Sequence, residues 1–227
     1  PCLARQFLHE GEGMKAGSSN TGLLSRFYPV VDNAAWVRRL VGAGARLIQL
    51  RIKQPDGPFV RGELRIAREV CDAHGACLVL NDHWQAAIEE QVGFIHLGQE
   101  DLDEADLKAI SRAGIRLGVS THSDEELDRA LSVDPDYVAL GPVWPTTLKK
   151  MPWAPQGLER VGGWKRRLGA TPLVAIGGIT LERAPSCIQA GADAVAVVSD
   201  VLVNADPEGR ARDWILATDG ALAQADL

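Results

Sequence analysis

Short apolar runs rich in β-branched residues recur along the chain, and the segments between them carry apolar residues at helical spacing. Eight runs predict strands: "RFYPVV" (26–31), "RLIQLRI" (46–52), "CLVLN" (77–81), "GFIHL" (93–97), "IRLGVS" (115–120), "DYVALG" (136–141), "PLVAIGG" (172–178) and "DAVAVVS" (193–199). Among the segments between them, "NAAWVRRLVGAG" (33–44), "RGELRIAREVCDAHG" (61–75) and "DEELDRALSV" (124–133) predict helices. Strands that alternate with helices favour parallel βαβ units.

Eight such units predict a single-domain α/β fold, a (β/α)8 TIM barrel over residues 25–227, with an open doubly wound sheet as the alternative. Gly44, Gly75 and Gly191 fall just before strands, where a left-handed C-cap ends a helix. Residues 1–24 contain the polar, aperiodic stretch "GEGMKAGSSNTG" and are expected to form a mobile tail.

Composition narrows the range of partners. A formal charge of -6 and a pI near 5.4 provide no basic surface for nucleic acid or an anionic membrane. No stretch reaches the roughly 18 apolar residues that span a bilayer, and no signal-peptide pattern is seen. The four cysteines form neither a CxxC pair nor a disulfide framework. We therefore expect a soluble, cytoplasmic protein that binds neither nucleic acid nor membrane.

Most of the predicted strands end in polar residues. They are Gln49, Arg51 and Lys53 at the end of the second strand, Asn81 and Asp82 at the third, His96, Gln99, Glu100 and Asp101 at the fourth, and Ser120, Thr121 and His122 at the fifth. Barrels of this type carry their reactive groups at the carboxyl ends of the strands and in the loops that follow. We therefore expect these side chains to converge on one rim.

Part of this set suggests a site for Mg²⁺ and pyrophosphate. Arg51 and Lys53 lie two apart on a predicted strand, so both can face one polyanion, although a pair of exposed surface cations would give the same pattern. Asp82 and Asp101 offer hard oxygen ligands, which suit Mg²⁺ when water and substrate phosphate complete its shell. The alternative for each aspartate is a cap on the following helix.

A glycine pair after the seventh strand indicates a second anion site. Gly177 and Gly178 lack side chains, so backbone N–H groups can approach a phosphate, and "VVS" (197–199) can add N–H groups at the start of the next helix. Barrels often bind phosphate with the loops after strands 7 and 8. An ordinary tight turn would also explain the pair.

Seven motifs, taken together and in order, resemble the thiamine-phosphate synthase family. They are "IQLRIK", "LNDHWQAAI", "GFIHLGQEDL", "LGVSTH", "YVALGPVWPTTLKKMPWAPQGL", "PLVAIGGI" and "ADAVAVVSDV", between about residues 27 and 203. "IGGI" alone occurs in many phosphate-binding barrels, whereas the linked set is specific.

The resemblance implies a transferase that joins 4-amino-2-methyl-5-hydroxymethylpyrimidine diphosphate to 4-methyl-5-(2-hydroxyethyl)thiazole phosphate, giving thiamine phosphate and pyrophosphate. The pyrimidine methylene can carry positive charge, so its C–O bond can ionise before the thiazole nitrogen attacks. That nitrogen has no proton to lose, so no general base is needed. His96 and His122 therefore need not be catalytic, and His96 is equally well interpreted as a pocket-wall or hydrogen-bonded structural histidine.

The resemblance also implies individual roles. Asp82 and Asp101 would bind Mg²⁺ as the cofactor; Arg51, Lys53, Asn81 and Lys149 would hold pyrophosphate; Gln49 would contact the pyrimidine; Ser120 would lie beside the reacting carbon; and Thr146, Gly178, Val198 and Ser199 would bind the thiazole phosphate. Ser120, Lys149 and Arg51 are the expected catalytic groups. The partners would be these small-molecule substrates, and by analogy the chain would assemble as a homo-oligomer.

One position departs from the family pattern, which is Pro-Thr-x-Thr-Lys after strand 6. Here Leu148 stands where the second threonine would contact the thiazole phosphate, and Thr147 could compensate if the loop shifts by one residue. Two alternatives stay open, namely a thiazole tautomerase-like enzyme and a non-catalytic phosphate-binding regulatory barrel. Trp144 and Trp153 are candidates for a lid, or equally for packing.

Overall fold

The chain forms a closed barrel of eight parallel strands in sequence order, which confirms the predicted (β/α)8 fold. The computed structural model describes residue 23 and residues 25–146 and 153–219. Nearly all of the predicted tail at residues 1–24 lies outside this described part. Within it, no helix combines the length and the apolar character needed to cross a lipid bilayer.

Each of the eight predicted apolar runs contains a strand. The strands are β1 (Phe27–Val31), β2 (Leu47–Leu50), β3 (Cys77–Asn81), β4 (Phe94–Leu97), β5 (Arg116–Thr121), β6 (Tyr137–Leu140), β7 (Leu173–Ile176) and β8 (Ala194–Val197). β1 also pairs with β8, with Tyr28 opposite Ala196, and this pairing closes the barrel. A closed barrel has no unpaired sheet edge.

Helices surround the barrel on the outside. They are α1 (Ala34–Gly42), α2 (Pro58–His74), α3 (Trp84–Glu89), α4 (Asp101–Glu104), α5 (Leu107–Arg112), α6 (Asp124–Leu131), α7 (Gly157–Leu168), α8 (Ala184–Gln189), α9 (Ser199–Leu202) and α10 (Pro207–Asp219). The three helices predicted from "NAAWVRRLVGAG", "RGELRIAREVCDAHG" and "DEELDRALSV" are α1, α2 and α6.

Local chemistry sets several of the helix ends. Asn33 caps α1 by accepting a hydrogen bond from the Trp36 N–H, and Ser123 caps α6 in the same way. Gly75 ends α2 in the left-handed conformation with φ 63°. Gly44 and Gly191 also have positive φ, at 113° and 111°, but each follows the cap residue.

Residues on each strand alternate between two apolar layers. One set packs against the helices, and the other fills the barrel interior with side chains that include Tyr28, Val79, Phe94 and Tyr137. Gly118 is opposite Tyr137 in the β5–β6 register, and a Cβ at Gly118 would lie 2.1 Å from the tyrosine ring. The missing side chain therefore makes room for a tyrosine that crosses the interior.

Candidate active site

Polar residues continue the inward-facing positions of β2 to β5 towards the carboxyl ends of the strands. Side chains alternate along a strand, so Gln49, Asn81, His96 and Ser120 share the inward face with the apolar residue two positions earlier in each strand. Gln49, Asn81 and His96 are only 5%, 5% and 7% exposed, and Asn81 lies opposite His96 in the β3–β4 register. The structure thus brings together four of the side chains that the sequence placed on one rim.

The two predicted metal ligands meet at the ends of β3 and β4. The carboxyl groups of Asp82 and Asp101 lie within hydrogen-bonding reach of each other, and Arg51 lies close enough to act on Asp82 through its charge. Burial, followed by the charge of Asp101, raises the pKa of Asp82 to about 6. The pair therefore concentrates negative charge in a partly buried place that a cation would stabilise.

The helix-capping alternative for these aspartates can be examined directly. Asp82 has a left-handed backbone with φ 65°, and α3 begins without any side-chain cap. Asp101 is different, because its Oδ2 accepts a hydrogen bond from the Gly98 N–H at 3.0 Å. Capping thus does not account for Asp82, whereas Asp101 stabilises its own loop with one carboxylate oxygen.

The two predicted cations do not lie on a strand, since β2 ends at Leu50. The alternation of buried and more exposed side chains nevertheless continues beyond Leu50. Ile52 is 2% exposed and belongs to the outer core, whereas its neighbours Arg51 and Lys53 are half-buried and exposed, respectively. Of the two, Arg51 is the one whose charge acts on both Asp82 and His96. Lys53 lies on the surface at the same rim.

His96 is the centre of a hydrogen-bonded group whose tyrosine members the sequence did not predict. Its Nδ1 lies 2.7 Å from the Tyr137 hydroxyl and its Nε2 lies 2.7 Å from Ser120 Oγ. Burial, with a smaller contribution from the charge of Arg51, lowers the pKa of His96 to about 4. The imidazole is therefore neutral at pH 7, and the expectation of a hydrogen-bonded histidine is confirmed.

Two interior tyrosines extend this group to the pyrimidine-contact candidate. The Tyr28 hydroxyl lies 3.0 Å from the Tyr137 hydroxyl, and Gln49 Nε2 donates to Tyr28 at 3.0 Å. Burial raises the pKa of both phenols, so both carry their protons. Sequence reading missed them, although tyrosine at an inward-facing strand position was a usable signal, because a buried hydroxyl needs a partner.

The glycine pair after β7 forms a tight turn against the loop that follows β6. Gly177 and Gly178 have φ of 97° and 66°. A Cβ at Gly178 would lie 2.4 Å from the Pro145 carbonyl oxygen, and one at Gly177 would lie 2.7 Å from Cα of Pro142. Backbone conformation and close packing therefore explain both glycines, and phosphate binding by this loop stays a prediction.

The other predicted thiazole-phosphate residues lie at neighbouring positions on the rim. Ile176 is opposite Ala196, so Gly178 and Val198 follow the ends of adjacent strands, and the exposed Ser199 is the first residue of α9. Thr146 is next to Pro145, which packs on Gly178. Three more predicted or singled-out residues, Thr147, Leu148 and Lys149, lie outside the described part of the chain.

Two backbone hydrogen bonds and one ring contact hold the described parts of the loop between β6 and α7. Gln156 N–H donates to the Pro142 carbonyl at 2.8 Å, and Gly157 N–H donates to the Val143 carbonyl at 3.0 Å. Trp153 stacks on His122, with ring centroids 5.6 Å apart and planes inclined by 8°. Trp153 thus contacts the carboxyl end of β5, next to Ser120.

Comparison with known proteins gives one consistent result. A family model described as thiamine monophosphate synthase matches residues 27–201. A thiamine-phosphate synthase from Rhizobium etli is 58% identical over 86% of this chain and 96% of its own, and one from Klebsiella pneumoniae is 49% identical over 87% and 90%. A solved structure of a thiamine phosphate pyrophosphorylase from Pyrococcus furiosus superposes with a TM-score of 0.78 at 26% identity, covering 87% of this chain and 96% of the other.

These matches span all eight strands, and they agree with the fold and with the polar rim at the carboxyl ends of β2 to β5. The chain therefore belongs to the thiamine monophosphate synthase family.

Proposed function

We propose that this barrel joins 4-amino-2-methyl-5-hydroxymethylpyrimidine diphosphate to 4-methyl-5-(2-hydroxyethyl)thiazole phosphate, releasing pyrophosphate and forming thiamine phosphate. The observation that carries the proposal is the 58% identity to a thiamine-phosphate synthase over 96% of that enzyme's length. The chain is accordingly a transferase of the diphosphorylase type. One side of its rim carries carboxylates, an amide and a cation, and the other side carries the glycine turn.

Asp82 and Asp101 are the residues that would hold Mg²⁺. Their donor set fits this ion, because two hard carboxylates lie together at a partly buried position where burial and mutual repulsion raise the pKa of Asp82. In the described ranges no three His, Cys, Asp or Glu side chains cluster as a metal site, so water and the diphosphate would supply the other ligands. When bound, Mg²⁺ neutralises charge on the departing pyrophosphate.

The chain's own residues hold and orient the diphosphate. Arg51 is half-buried beside Asp82, so its guanidinium is screened less than that of a surface arginine and can stabilise the leaving group. Asn81 adds a buried amide, and the exposed Lys53 and the predicted Lys149 add charge from the loops. Ser120 lies beside the reacting carbon. Its hydroxyl donates to a leaving oxygen and keeps its own proton.

The pyrimidine lies above the apolar floor of the barrel, in contact with Gln49. Neither flanking histidine is needed as a general base in this reaction: His96 has a hydroxyl group on each ring nitrogen, and His122 is paired with Glu126 at 2.9 Å. This arrangement agrees with a reaction in which the attacking thiazole nitrogen releases no proton. Catalysis then consists of positioning together with stabilisation of the leaving group.

The thiazole phosphate binds on the opposite side of the rim. Gly178, Val198 and Ser199 follow β7 and β8, and Thr146, together with Thr147, reaches this place from the loop after β6. This is where (β/α)8 barrels commonly bind a phosphate group. Location in the cytoplasm, assembly as a homo-oligomer, and the absence of nucleic-acid and membrane partners remain predictions from the sequence.

The test is a reaction of the purified chain with both substrates, in Mg²⁺ and in EDTA, followed by oxidation of the product to a fluorescent thiochrome derivative. We expect product only with Mg²⁺ present. Isomerisation of a thiazole phosphate, without use of the diphosphate, would instead identify a tautomerase-like enzyme. Binding of both substrates without product in either buffer would contradict the proposal and favour the regulatory barrel.

A further inference from the structure

Five side chains from five strands form one continuous hydrogen-bonded chain across the barrel. The links run from Gln49 to Tyr28 at 3.0 Å, to Tyr137 at 3.0 Å, to His96 Nδ1 at 2.7 Å, and from His96 Nε2 to Ser120 Oγ at 2.7 Å. Gln49, Tyr28, Tyr137 and His96 are buried. Every proton in such a buried chain must have an acceptor, so the direction of one link constrains the next.

The glutamine sets the direction. Gln49 Nε2 is the donor in the first link, so the Tyr28 oxygen accepts and its own proton is free to be donated to Tyr137. Tyr137 then donates to Nδ1 of His96. In the opposite direction Tyr28 would accept two hydrogen bonds, and its buried O–H would have no acceptor among the described residues. Such an unpaired buried donor is costly.

We propose that this chain fixes His96 as its Nε2–H tautomer, so that Ser120 Oγ accepts from His96 and the Ser120 proton is left to point at the departing pyrophosphate. The inference rests on the proposed function, because Ser120 must face the leaving group for its proton to matter. His96, Tyr137 and Tyr28 are positioning residues that act through Ser120. Throughout the reaction Ser120 keeps its proton and supplies only a hydrogen bond, while the bond electrons leave with pyrophosphate.

The opposite tautomer would have a distinct consequence. If His96 carried its proton on Nδ1, its Nε2 would accept from Ser120, and the serine proton would be directed at the imidazole. Ser120 could then offer the leaving group no donor. The position of a single proton therefore decides whether the serine can assist the reaction.

The first measurement is the tautomer itself, by long-range ¹H–¹⁵N correlation in uniformly ¹⁵N-labelled protein. The chain has five histidines, and the signals of His96 are assigned by their loss in His96→Gln. We expect the Nε2–H form in the wild type. An Nδ1–H form would overturn the proposal, and the result is independent of whether the enzyme is active.

Two tyrosine variants provide a matched comparison. Each removes one buried hydroxyl from the same chain, but only Tyr137 contacts His96. Tyr137→Phe is expected to give a mixture of His96 tautomers, whereas Tyr28→Phe keeps the Nε2–H form because Tyr137 can still donate. Tyr137→Phe should lower kcat about 10-fold, the value of one hydrogen bond, with each KM changed less than about twofold. Tyr28→Phe should lower kcat only about twofold.

A double-mutant cycle separates positioning from a general structural effect. In a Ser120→Ala background, Tyr137→Phe should have no further effect on kcat, because the group through which it acts is gone. An equal loss in both backgrounds would show a merely structural tyrosine and overturn the proposal. His96→Gln keeps an amide donor towards Ser120 and should retain several-fold more activity than His96→Leu. A wild type that makes no thiamine phosphate would refute the proposed function, while the tautomer result would still stand.

Discussion

Replacing Asp82 with asparagine should stabilise the metal-free protein while removing most of its activity. The side chain stays nearly the same size, and asparagine tolerates the left-handed backbone at φ 65° at least as well as aspartate does. The substitution therefore changes charge without adding backbone strain. It removes a carboxylate whose ionised form is destabilised by burial and by the charge of Asp101.

The magnitude follows from the pKa of Asp82, which rises from 3.8 to about 6 on folding. At about 1.4 kcal/mol per pH unit, the ionised group opposes folding by up to about 3 kcal/mol at pH 7. Asp82 is partly exposed, so screening by solvent reduces this to roughly 1–2 kcal/mol. For a domain of this size, that corresponds to a Tm increase of roughly 3–6 °C in the variant.

The sign of the pH dependence is also fixed. A folded pKa above the unfolded value means that the wild type loses stability relative to Asp82→Asn as pH rises from about 4 to about 6. Thermal unfolding in EDTA should thus show a Tm difference that grows over this range and is constant above it. Mg²⁺ with pyrophosphate should then stabilise the wild type more than the variant. A variant no more stable than the wild type at pH 7.5, or a Tm difference independent of pH, would refute the reasoning.

Three further substitutions test other parts of the site. Gly118→Ala places a methyl group into the Tyr137 ring, so it should destabilise the fold by about 1–3 kcal/mol in urea unfolding and lower kcat. An unchanged unfolding midpoint would contradict the close contact between Gly118 and Tyr137. Gly178→Ala combines φ 66° with a Cβ 2.4 Å from the Pro145 oxygen, and should raise the KM for thiazole phosphate more than that for the diphosphate. Leu148→Thr, in the part of the loop outside the described residues, should lower the KM for thiazole phosphate by about 10-fold or more, since a hydrogen bond to a charged group contributes roughly 1.5–3 kcal/mol. An unchanged or higher KM would show that Leu148 does not weaken the binding of thiazole phosphate.

Most of the fold could be predicted from the sequence because its signals are local. Apolar runs mark every strand, and the alternation with helices determines the parallel pairing, so the (β/α)8 closure followed. The strand end at Leu50 was missed because the alternation of Arg51, Ile52 and Lys53 continues after the ladder hydrogen bonds stop. Periodicity alone cannot distinguish a hydrogen-bonded strand from an extended segment that continues the same alternation of side chains.

The candidate site was only partly predictable, for a physical reason. Residues at or just after the strand ends are identified by position, which is how Asp82, Asp101 and Ser120 were found. The contacts of Tyr28 and Tyr137 depend instead on which strands face each other across a closed barrel, and residues 109 positions apart share a hydrogen bond there. No local pattern specifies such a contact.

The two halves of the rim are built differently, and this should decide how each responds to substitution. Four of the polar side chains stand on strands, and the hydrogen-bonded ladders and interior packing fix their orientation; they are Gln49, Asn81, His96 and Ser120. Substitution of the interior residues that contact them should therefore change the orientation of these side chains, and with it kcat. The side proposed to bind the thiazole phosphate is formed by loops, where Gly177 and Gly178 pack directly on the loop after β6. Loops adjust more readily than a closed ladder, so changes there should act mainly on KM. In the proposed reaction, His96 and Ser120 on the strands would thus act on the departure of pyrophosphate, and the loops would hold the nucleophile.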